Sequence, residues 1–188
     1  DDITEAYLDS IGVKDYEPYQ SDADASFYRT YQFRAEELRP QVACPHEVDR
    51  VTEADNVRDV KIQQAYLGSC TGGRLHDLKT AAAYLKGKKV APGVRLLVSP
   101  ASRSIWREAG RLGYLDTLAE AGGVIMAPTC GVCVGLHSGL IAAGETCISS
   151  SNRNFLGRMG SKEGQIYLGS PLTVAASAAA GSIRAAEE

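Results

Sequence analysis

The sequence predicts an α/β domain built around a mainly parallel β-sheet. From residue 61 onward, short apolar runs alternate with segments of helical periodicity, which is typical of parallel strands joined by helices. Small or polar residues that favour loops follow each of these runs. Because the carboxyl ends of parallel strands share one edge of a sheet, the loops after the strands are expected to meet there and to form any ligand site.

The first part of the chain carries weaker signals. Residues 2–13 have apolar positions at helical spacing and predict a helix. Residues 14–34 are acidic and rich in tyrosine and predict a linker, and residues 37–59 contain two prolines and predict an extended connector. We therefore expect residues 1–37 to be a helix and linker from a preceding part of a longer parent chain, and residues 38–188 to be the α/β domain.

The elements of this domain are predicted from the period of the apolar residues. Five strands are expected, at residues 61–67, 94–99, 124–127, 146–149 and 166–168. Five helices are expected, at residues 75–85, 102–113, 115–121, 138–143 and 170–188, the last with a serine cap and a proline in its first turn. Cys70, Cys130 and Ser150 each follow a predicted strand, and Cys70 is expected in a loop.

Composition and charge exclude several classes of protein. The 188 residues are 44% hydrophobic and 23% charged, as in an ordinary globular domain. The net charge of −3 gives no electrostatic reason to expect nucleic acid or a membrane surface as a partner. We expect no membrane span and no signal peptide. Five cysteines then predict a reducing, cytoplasmic compartment, where clustered thiols are more often metal ligands or reactive groups than disulfides.

The central motif is Pro128-Thr129-Cys130-Gly131-Val132-Cys133, whose two thiols lie three positions apart in a predicted turn. Cys70, in the loop after the first predicted strand, supplies a third thiol. Three thiolates from two loops suit a four-iron cluster in which one iron stays open and acts as a Lewis acid. Cys44 and Cys147 are interpreted as structural cysteines.

Other interpretations of the thiols stay open from the sequence alone. A Cys-x-x-Cys pair also occurs in redox dithiols and zinc sites. The main alternative is a zinc-binding structural module that uses Cys70, Cys130, Cys133 and His137. The other two histidines, His46 and His76, are interpreted as structural.

A second candidate site is the polar segment 150–158. Arg153 and Arg158 carry guanidinium groups, which bind carboxylates through two parallel hydrogen bonds. Asn152 and Asn154 add neutral hydrogen-bonding groups. The segment predicts an anionic substrate beside the cluster, and the alternative is a solvated turn with surface arginines.

The order of the motifs resembles the aconitase superfamily, most of all its 3-isopropylmalate dehydratase large subunits and homoaconitase-like members. The resemblance spans about Leu38 to the C-terminus and implies a three-layer α/β/α domain like the third domain of the family. It rests on Gly-Ser-Cys-Thr (68–71), Lys-Val-Ala-Pro-Gly-Val (89–94), Pro-Thr-Cys-Gly-Val-Cys (128–133), Ser-Asn-Arg-Asn-Phe-Leu-Gly-Arg (151–158) and Ser-Pro (170–171).

This resemblance implies a [4Fe–4S] hydro-lyase that isomerises a 2-hydroxy di- or tricarboxylate by dehydration and rehydration. Its substrate would be isopropylmalate or, alternatively, homocitrate, methylmalate or dimethylmalate. A further hypothesis is an iron-regulated RNA-binding relative, but the excess of acidic over basic residues argues against it. Matched by motif, Cys70, Cys130 and Cys133 would be the cluster ligands, Asn152 a catalytic asparagine beside the cluster, and Arg153 and Arg158 catalytic, substrate-binding arginines.

The chain departs from the family pattern at Gly72, where the family often has asparagine after Cys-Thr. The resemblance also implies partners: the remaining domains of the large subunit, and a separate small subunit that supplies the serine base. We therefore expect these 188 residues to hold the cluster ligands and to be inactive by themselves.

Overall fold

The computed structural model describes residues 1–186, which fall into two compact units: Asp1–Glu37 and a larger unit that begins at Leu38. The first unit holds one α-helix, α1 (Asp2–Ser10), in which the Asp1 carboxylate accepts a hydrogen bond from the Thr4 amide at 2.8 Å. The helix is shorter than predicted. No side chain of this unit is buried, so packing does not stabilise the helix within the unit.

The larger unit is built on one sheet of seven strands. Their order in the sheet is β2-β1-β7-β6-β3-β4-β5; β3 to β7 are parallel to one another, β1 is antiparallel to β7, and β2 is antiparallel to β1. The predicted α/β class with a mainly parallel sheet is therefore confirmed. The strands are β1 (Gln41–Ala43), β2 (Val51–Glu53), β3 (Gln64–Gly68), β4 (Arg95–Ser99), β5 (Val124–Ile125), β6 (Thr146–Ser149) and β7 (Gln165–Gly169).

Helices pack on one face of the sheet around a core of buried aliphatic side chains such as Leu67, Leu78 and Leu118. Burying each of these leucines contributes about 1.5–3 kcal/mol. The opposite face has a smaller core that includes Tyr66 and Met159, covered by irregular chain and the 3₁₀ turn Val132–Val134. The helices of this unit are α2 (Ser69–Gly72), α3 (Leu75–Leu85), α4 (Arg103–Arg111), α5 (Tyr114–Glu120) and α6 (Pro171–Ala180).

Three sequence predictions about elements were wrong. The extended connector 37–59 contains β1 and β2, whose three-residue length is too short to show a period. Residues 138–143 are not helical, because Gly139 has a φ of +124° and the Ile141 amide donates to the Met159 carbonyl at 2.9 Å. The last helix ends at Ala180, since Gly181 takes a left-handed φ of +76°; of its predicted extension, 187–188 lie outside the described residues.

None of the helices in residues 1–186 is both long enough and apolar enough to cross a bilayer.

One ion pair joins the amino ends of β4 and β6. Arg95 donates to both carboxylate oxygens of Glu145 at 2.8 Å, and the Ala142 amide donates to the same carboxylate at 2.8 Å. The hydrogen bond from Arg95, followed by the one from Ala142, holds the pKa of Glu145 below its usual value of 4.5. Glu145 therefore stabilises the fold in its ionised form.

We expect Glu145→Gln to lower the free energy of unfolding by roughly 1 kcal/mol at pH 7, a modest figure because solvent screens the half-exposed Arg95. A lowered carboxyl pKa contributes stability that is present above pH 4.5 and is lost as the pH falls through the folded-state value. The gap between wild type and variant should therefore be smaller at pH 4 than at pH 7. Urea unfolding at the two pH values measures it, and equal stability at pH 7 would contradict the assignment.

Candidate functional site

The structure brings three of the predicted site residues together around one cavity of about 200 Å³ at the carboxyl ends of β3, β4 and β5. Cys70 and Cys130 are exposed and Cys133 is buried, 7% accessible. All three are free thiols. The lining residues are Ser69, Cys70, Pro100, Ala101, Pro128, Thr129, Cys130 and Cys133.

Cys70 lies in the one-turn helix α2, where a loop had been predicted. Ser69 begins this turn in the left-handed region with a φ of +74°, a conformation that costs a non-glycine residue of order 1 kcal/mol. The Ser69 hydroxyl accepts a hydrogen bond from the Thr71 amide at 3.1 Å, which supports the turn. Gly68 precedes it with a φ of +156°, and a Cβ atom there would collide with the Ser99 carbonyl oxygen. Glycine at 68 thus lets β3 and β4 approach closely beside Cys70.

Cys130 and Cys133 are held by hydrogen bonds within their own turn. The Val134 amide donates to the Cys130 carbonyl at 3.0 Å, and the Gly131 amide donates to the Thr129 hydroxyl at 3.2 Å. A Cβ atom on Gly131 would collide with the imidazole of His137, so a larger residue at position 131 would displace that ring. Both cysteines therefore lie in a hydrogen-bonded turn after β5, with Cys130 exposed and Cys133 buried.

The Ser150 side chain connects the Cys70 turn to the arginine segment. Its hydroxyl accepts a hydrogen bond from the Gly68 amide at 2.8 Å and lies within donating distance of the Gly72 carbonyl, 3.2 Å. A Cβ atom on Gly72 would lie 2.5 Å from the Ser150 Cβ and carbonyl oxygen. The glycine that departs from the family pattern therefore fits a close contact between the two segments.

The two candidate arginines lie beside different cavities. Arg158 is half-buried next to the thiols, with Nη2 3.9 Å from the Cys133 sulfur and its guanidinium over the Phe155 ring. Its Nε atom is buried and has no hydrogen-bond partner among the described residues. Arg153 is exposed, donates to the Asn152 carbonyl at 2.9 Å, and lines a second cavity of about 360 Å³. Asn152 is also exposed and does not line the thiol cavity.

Asn154 fixes the arginine segment against the loop after β1. Its side chain is fully buried, and Nδ2 donates to the carbonyls of Cys44 and Glu47 at 2.8 and 3.2 Å. It lines the second cavity together with Arg153 and His46. The sequence indicates Asn154 only as a polar neighbour of the arginines, because its partners lie about a hundred residues earlier in the chain.

Tyr66 is a polar residue of the site that sequence reasoning missed. It lies in β3, is fully buried, and belongs to the same buried group as Cys133. Burial raises the pKa of Tyr66 to about 12; polar contact with the Ser99 side chain is the next largest influence and lowers the pKa, and nearby Cys133 and Cys130 add smaller increases. Within residues 1–186 its hydroxyl has no partner of hydrogen-bonding geometry. The only sequence signal is a hydroxyl inside a strand buried on both faces.

The structure does not favour a zinc site. His137 is exposed, and its ring nitrogens lie 2.9 Å from the Ser138 hydroxyl and 3.4 Å from the Thr129 hydroxyl. Over the described part of the chain, no three His, Cys, Asp or Glu side chains are grouped closely enough to hold a single metal ion. Cys147 is fully buried, and burial raises its pKa to about 12, which fits an inert structural thiol; Cys44 is half-buried.

Comparison with known proteins identifies related chains over the same region. The model of the aconitase family (aconitate hydratase) matches residues 50–181. The 3-isopropylmalate dehydratase large subunit of Mycolicibacterium smegmatis is 50% identical over 97% of this chain, and that of Thermoanaerobacter sp. is 46% identical over 100%. A probable methanogen homoaconitase large subunit of Methanosarcina mazei is 47% identical over 97%.

These relatives are longer proteins. The match covers 44% of the Mycolicibacterium protein, 45% of the Thermoanaerobacter protein and 46% of the Methanosarcina protein. The chain therefore spans less than half the length of the curated relatives that it matches.

We expect Gly68→Ala to destabilise the protein by about 1–3 kcal/mol, because the new methyl group must push β3 away from the backbone of β4. The matched control is Gly110→Ala in α4, where the nearest atom to the added Cβ is Leu115 Cδ1 at 3.8 Å. That variant should be stabilised by about 0.5–1 kcal/mol through its higher helix propensity. Thermal or urea unfolding of both variants measures the difference, and two equal shifts would contradict the close approach of the strands.

Proposed function

Because this chain belongs to the aconitase family, we propose that it carries the cluster-binding part of an iron–sulfur hydro-lyase large subunit. The observation that carries the proposal is the single cavity lined by Cys70, Cys130 and Cys133. Thiols are the donors of iron–sulfur clusters, and no carboxylate or imidazole lines this cavity. A donor set of sulfur alone fits the group that the family implies.

A site for a single metal ion is not supported, because within residues 1–186 no three His, Cys, Asp or Glu side chains are grouped around one ion. A [4Fe–4S] cluster held by three thiolates would supply an open iron, which acts as a Lewis acid toward a hydroxyl and a carboxylate. Pro100, Ala101 and Pro128 form an apolar wall that would limit the access of water.

Arg158 is the residue proposed to bind a substrate carboxylate next to the thiols. Its guanidinium presents parallel donors that match a carboxylate. Its position 3.9 Å from the Cys133 sulfur would place a bound carboxylate next to a proposed cluster ligand. Arg153 is proposed to contact the more distant part of the substrate, since it lines the second cavity, and Asn152 is proposed as the catalytic asparagine beside the cluster.

For the substrate we propose a 2-hydroxy di- or tricarboxylate that is isomerised by dehydration and rehydration, with isopropylmalate first. Relatives named 3-isopropylmalate dehydratase large subunit support this choice at 42–50% identity. Homocitrate is the second candidate, because the 47% identical Methanosarcina protein is named as a probable homoaconitase. Methylmalate and dimethylmalate enzymes of the superfamily remain alternatives of the same class.

The partners proposed are the remaining domains of a large subunit and a separate small subunit. The relatives are named as large subunits and are about twice as long as the match. No carboxylate, imidazole or amine is among the residues that line the cavity described here, so the lining supplies no direct base to remove a proton from a substrate carbon. We therefore propose that the base comes from the small subunit and that this chain by itself is inactive.

We expect Cys70→Ser, Cys130→Ser and Cys133→Ser each to prevent assembly of the cluster in the complete protein, since each removes one of three thiolates. Cys147→Ser and Cys44→Ser are the matched controls, because neither residue lines the cavity. Anaerobic reconstitution followed by iron and acid-labile sulfide analysis measures the effect. Full cluster content in any of the first three variants would contradict the ligand assignment.

We expect Arg158→Lys to weaken substrate binding by about 1.5–3 kcal/mol, since lysine keeps the charge and loses the paired donors. That is roughly a ten- to hundredfold loss of affinity. Iron content should not change, because a positive charge remains beside the Cys133 sulfur. Titration of the reconstituted two-subunit enzyme with isopropylmalate, alongside iron analysis, tests the prediction, and unchanged affinity would return Arg158 to a structural role.

A further inference from the structure

Tyr66 is a buried hydrogen-bond donor whose hydroxyl makes no well-formed hydrogen bond within residues 1–186, although the Ser99 side chain and the Ser69 backbone lie near it. Its side chain is 0% accessible, so water does not reach the hydroxyl from outside. A buried hydroxyl without a partner is costly and rare in folded proteins. Phenylalanine would fill the same space among Leu97, Val132 and Met159 without that cost. The contacts with Ser99 and Ser69 fall short of a well-formed hydrogen bond, so the hydroxyl points to a stronger partner in the assembled protein.

The surroundings of Tyr66 point to sulfur as that partner. Tyr66 lies in the buried group that contains Cys133, on the sheet face covered by the Val132–Val134 turn. Cys133 and Cys130 are the ionisable side chains that lie near its hydroxyl, beside the neutral Ser99 side chain and Ser69 backbone. A neutral thiol is a weak acceptor, whereas a thiolate is a strong one. Cys133 would become such an acceptor on binding a metal cluster.

We propose that the Tyr66 hydroxyl donates a hydrogen bond to the Cys133 sulfur when that sulfur is a cluster-bound thiolate. Tyr66 is then a positioning residue, which acts on the cluster through its ligand and does not touch the substrate. The inference rests on the cluster assignment made above for Cys70, Cys130 and Cys133.

Arg158 is a second donor beside the Cys133 sulfur. Its Nη2 lies 3.9 Å from the same sulfur, and its Nε is a second buried donor without a partner in the described chain. Donors that surround a ligating sulfur stabilise the thiolate and raise the reduction potential of an iron–sulfur centre. Tyr66 belongs to the buried core around Cys133, whereas Arg158 belongs to the polar segment 150–158.

The test compares Tyr66→Phe with Tyr167→Phe in the complete protein after anaerobic reconstitution. Tyr167 lies in β7, is half-buried, and has Cys44 and Arg50 as its charged neighbours, so it controls for the loss of a tyrosine hydroxyl from the sheet. We expect Tyr66→Phe to release iron to a chelator about tenfold faster or more, the usual effect of losing an outer-shell partner. Its cluster should also have a more negative reduction potential. Tyr167→Phe should match wild type in both measurements.

The metal-free protein separates a positioning role from a purely structural one. Without the cluster, the Tyr66 hydroxyl is an unsatisfied buried group, so Tyr66→Phe should leave the thermal midpoint unchanged or raise it. A lower midpoint of the metal-free variant, with iron release as in wild type, would overturn the inference. So would identical iron release and potential in Tyr66→Phe and Tyr167→Phe. A wild-type protein that assembles no cluster at all would instead overturn the proposed function, and this inference with it.

Discussion

The Ser150 hydroxyl holds together the two segments on which the site depends. It accepts from the Gly68 amide at 2.8 Å and lies 3.2 Å from the Gly72 carbonyl, so the end of β6 is joined to the turn that carries Cys70. The parallel pairing of β3 with β6 continues into this contact, since the Ser150 amide donates to the Tyr66 carbonyl at 3.0 Å. Because Ser150 is 4% accessible, water competes little for these bonds.

The site occupies the side of the sheet that has the smaller core. The helix-covered face holds the larger aliphatic core and accounts for most of the apolar burial. On the opposite face, a smaller group of buried residues lies under irregular chain that includes the Cys130 and Cys133 turn. Within residues 1–186, two buried donors without a well-formed hydrogen bond, the Tyr66 hydroxyl and Arg158 Nε, lie at or beside this second core. Each unsatisfied donor costs about 1–3 kcal/mol, and such a cost is expected where a fold prepares a binding site.

The arginine segment places its two guanidiniums in different surroundings. Arg158 approaches the thiols over the Phe155 ring, whereas Arg153 faces a cavity that it shares with His46. The buried Asn154 between them binds two carbonyls of the loop after β1, which prevents the segment from turning freely. Two arginines in separate positions would suit a substrate that carries a carboxylate at each end.

The sequence by itself determined the elements whose signals are local. β3, β4 and β6 are continuous apolar runs, α3 has helical periodicity over residues 75–85, and both were predicted within about three residues of their observed ends. The thiols and arginines could be predicted as site residues because residue type, spacing and position after a strand can all be determined from the sequence. The family resemblance followed from the same short motifs and is confirmed by the match over residues 50–181.

The tertiary structure alone decided which residues meet. β1 and β2 are too short to show a period, and the place of β1 in the sheet depends on its pairing with β7, more than a hundred residues later. The fit of Gly72 depends on Ser150, and the orphaned hydroxyl of Tyr66 depends on a turn more than sixty residues away. Local preference extends over a few residues, whereas register, cavity shape and hydrogen-bond satisfaction depend on contacts between distant parts of the chain. Local preferences can therefore be predicted from a single sequence, whereas the contacts between distant residues become visible only in the folded structure.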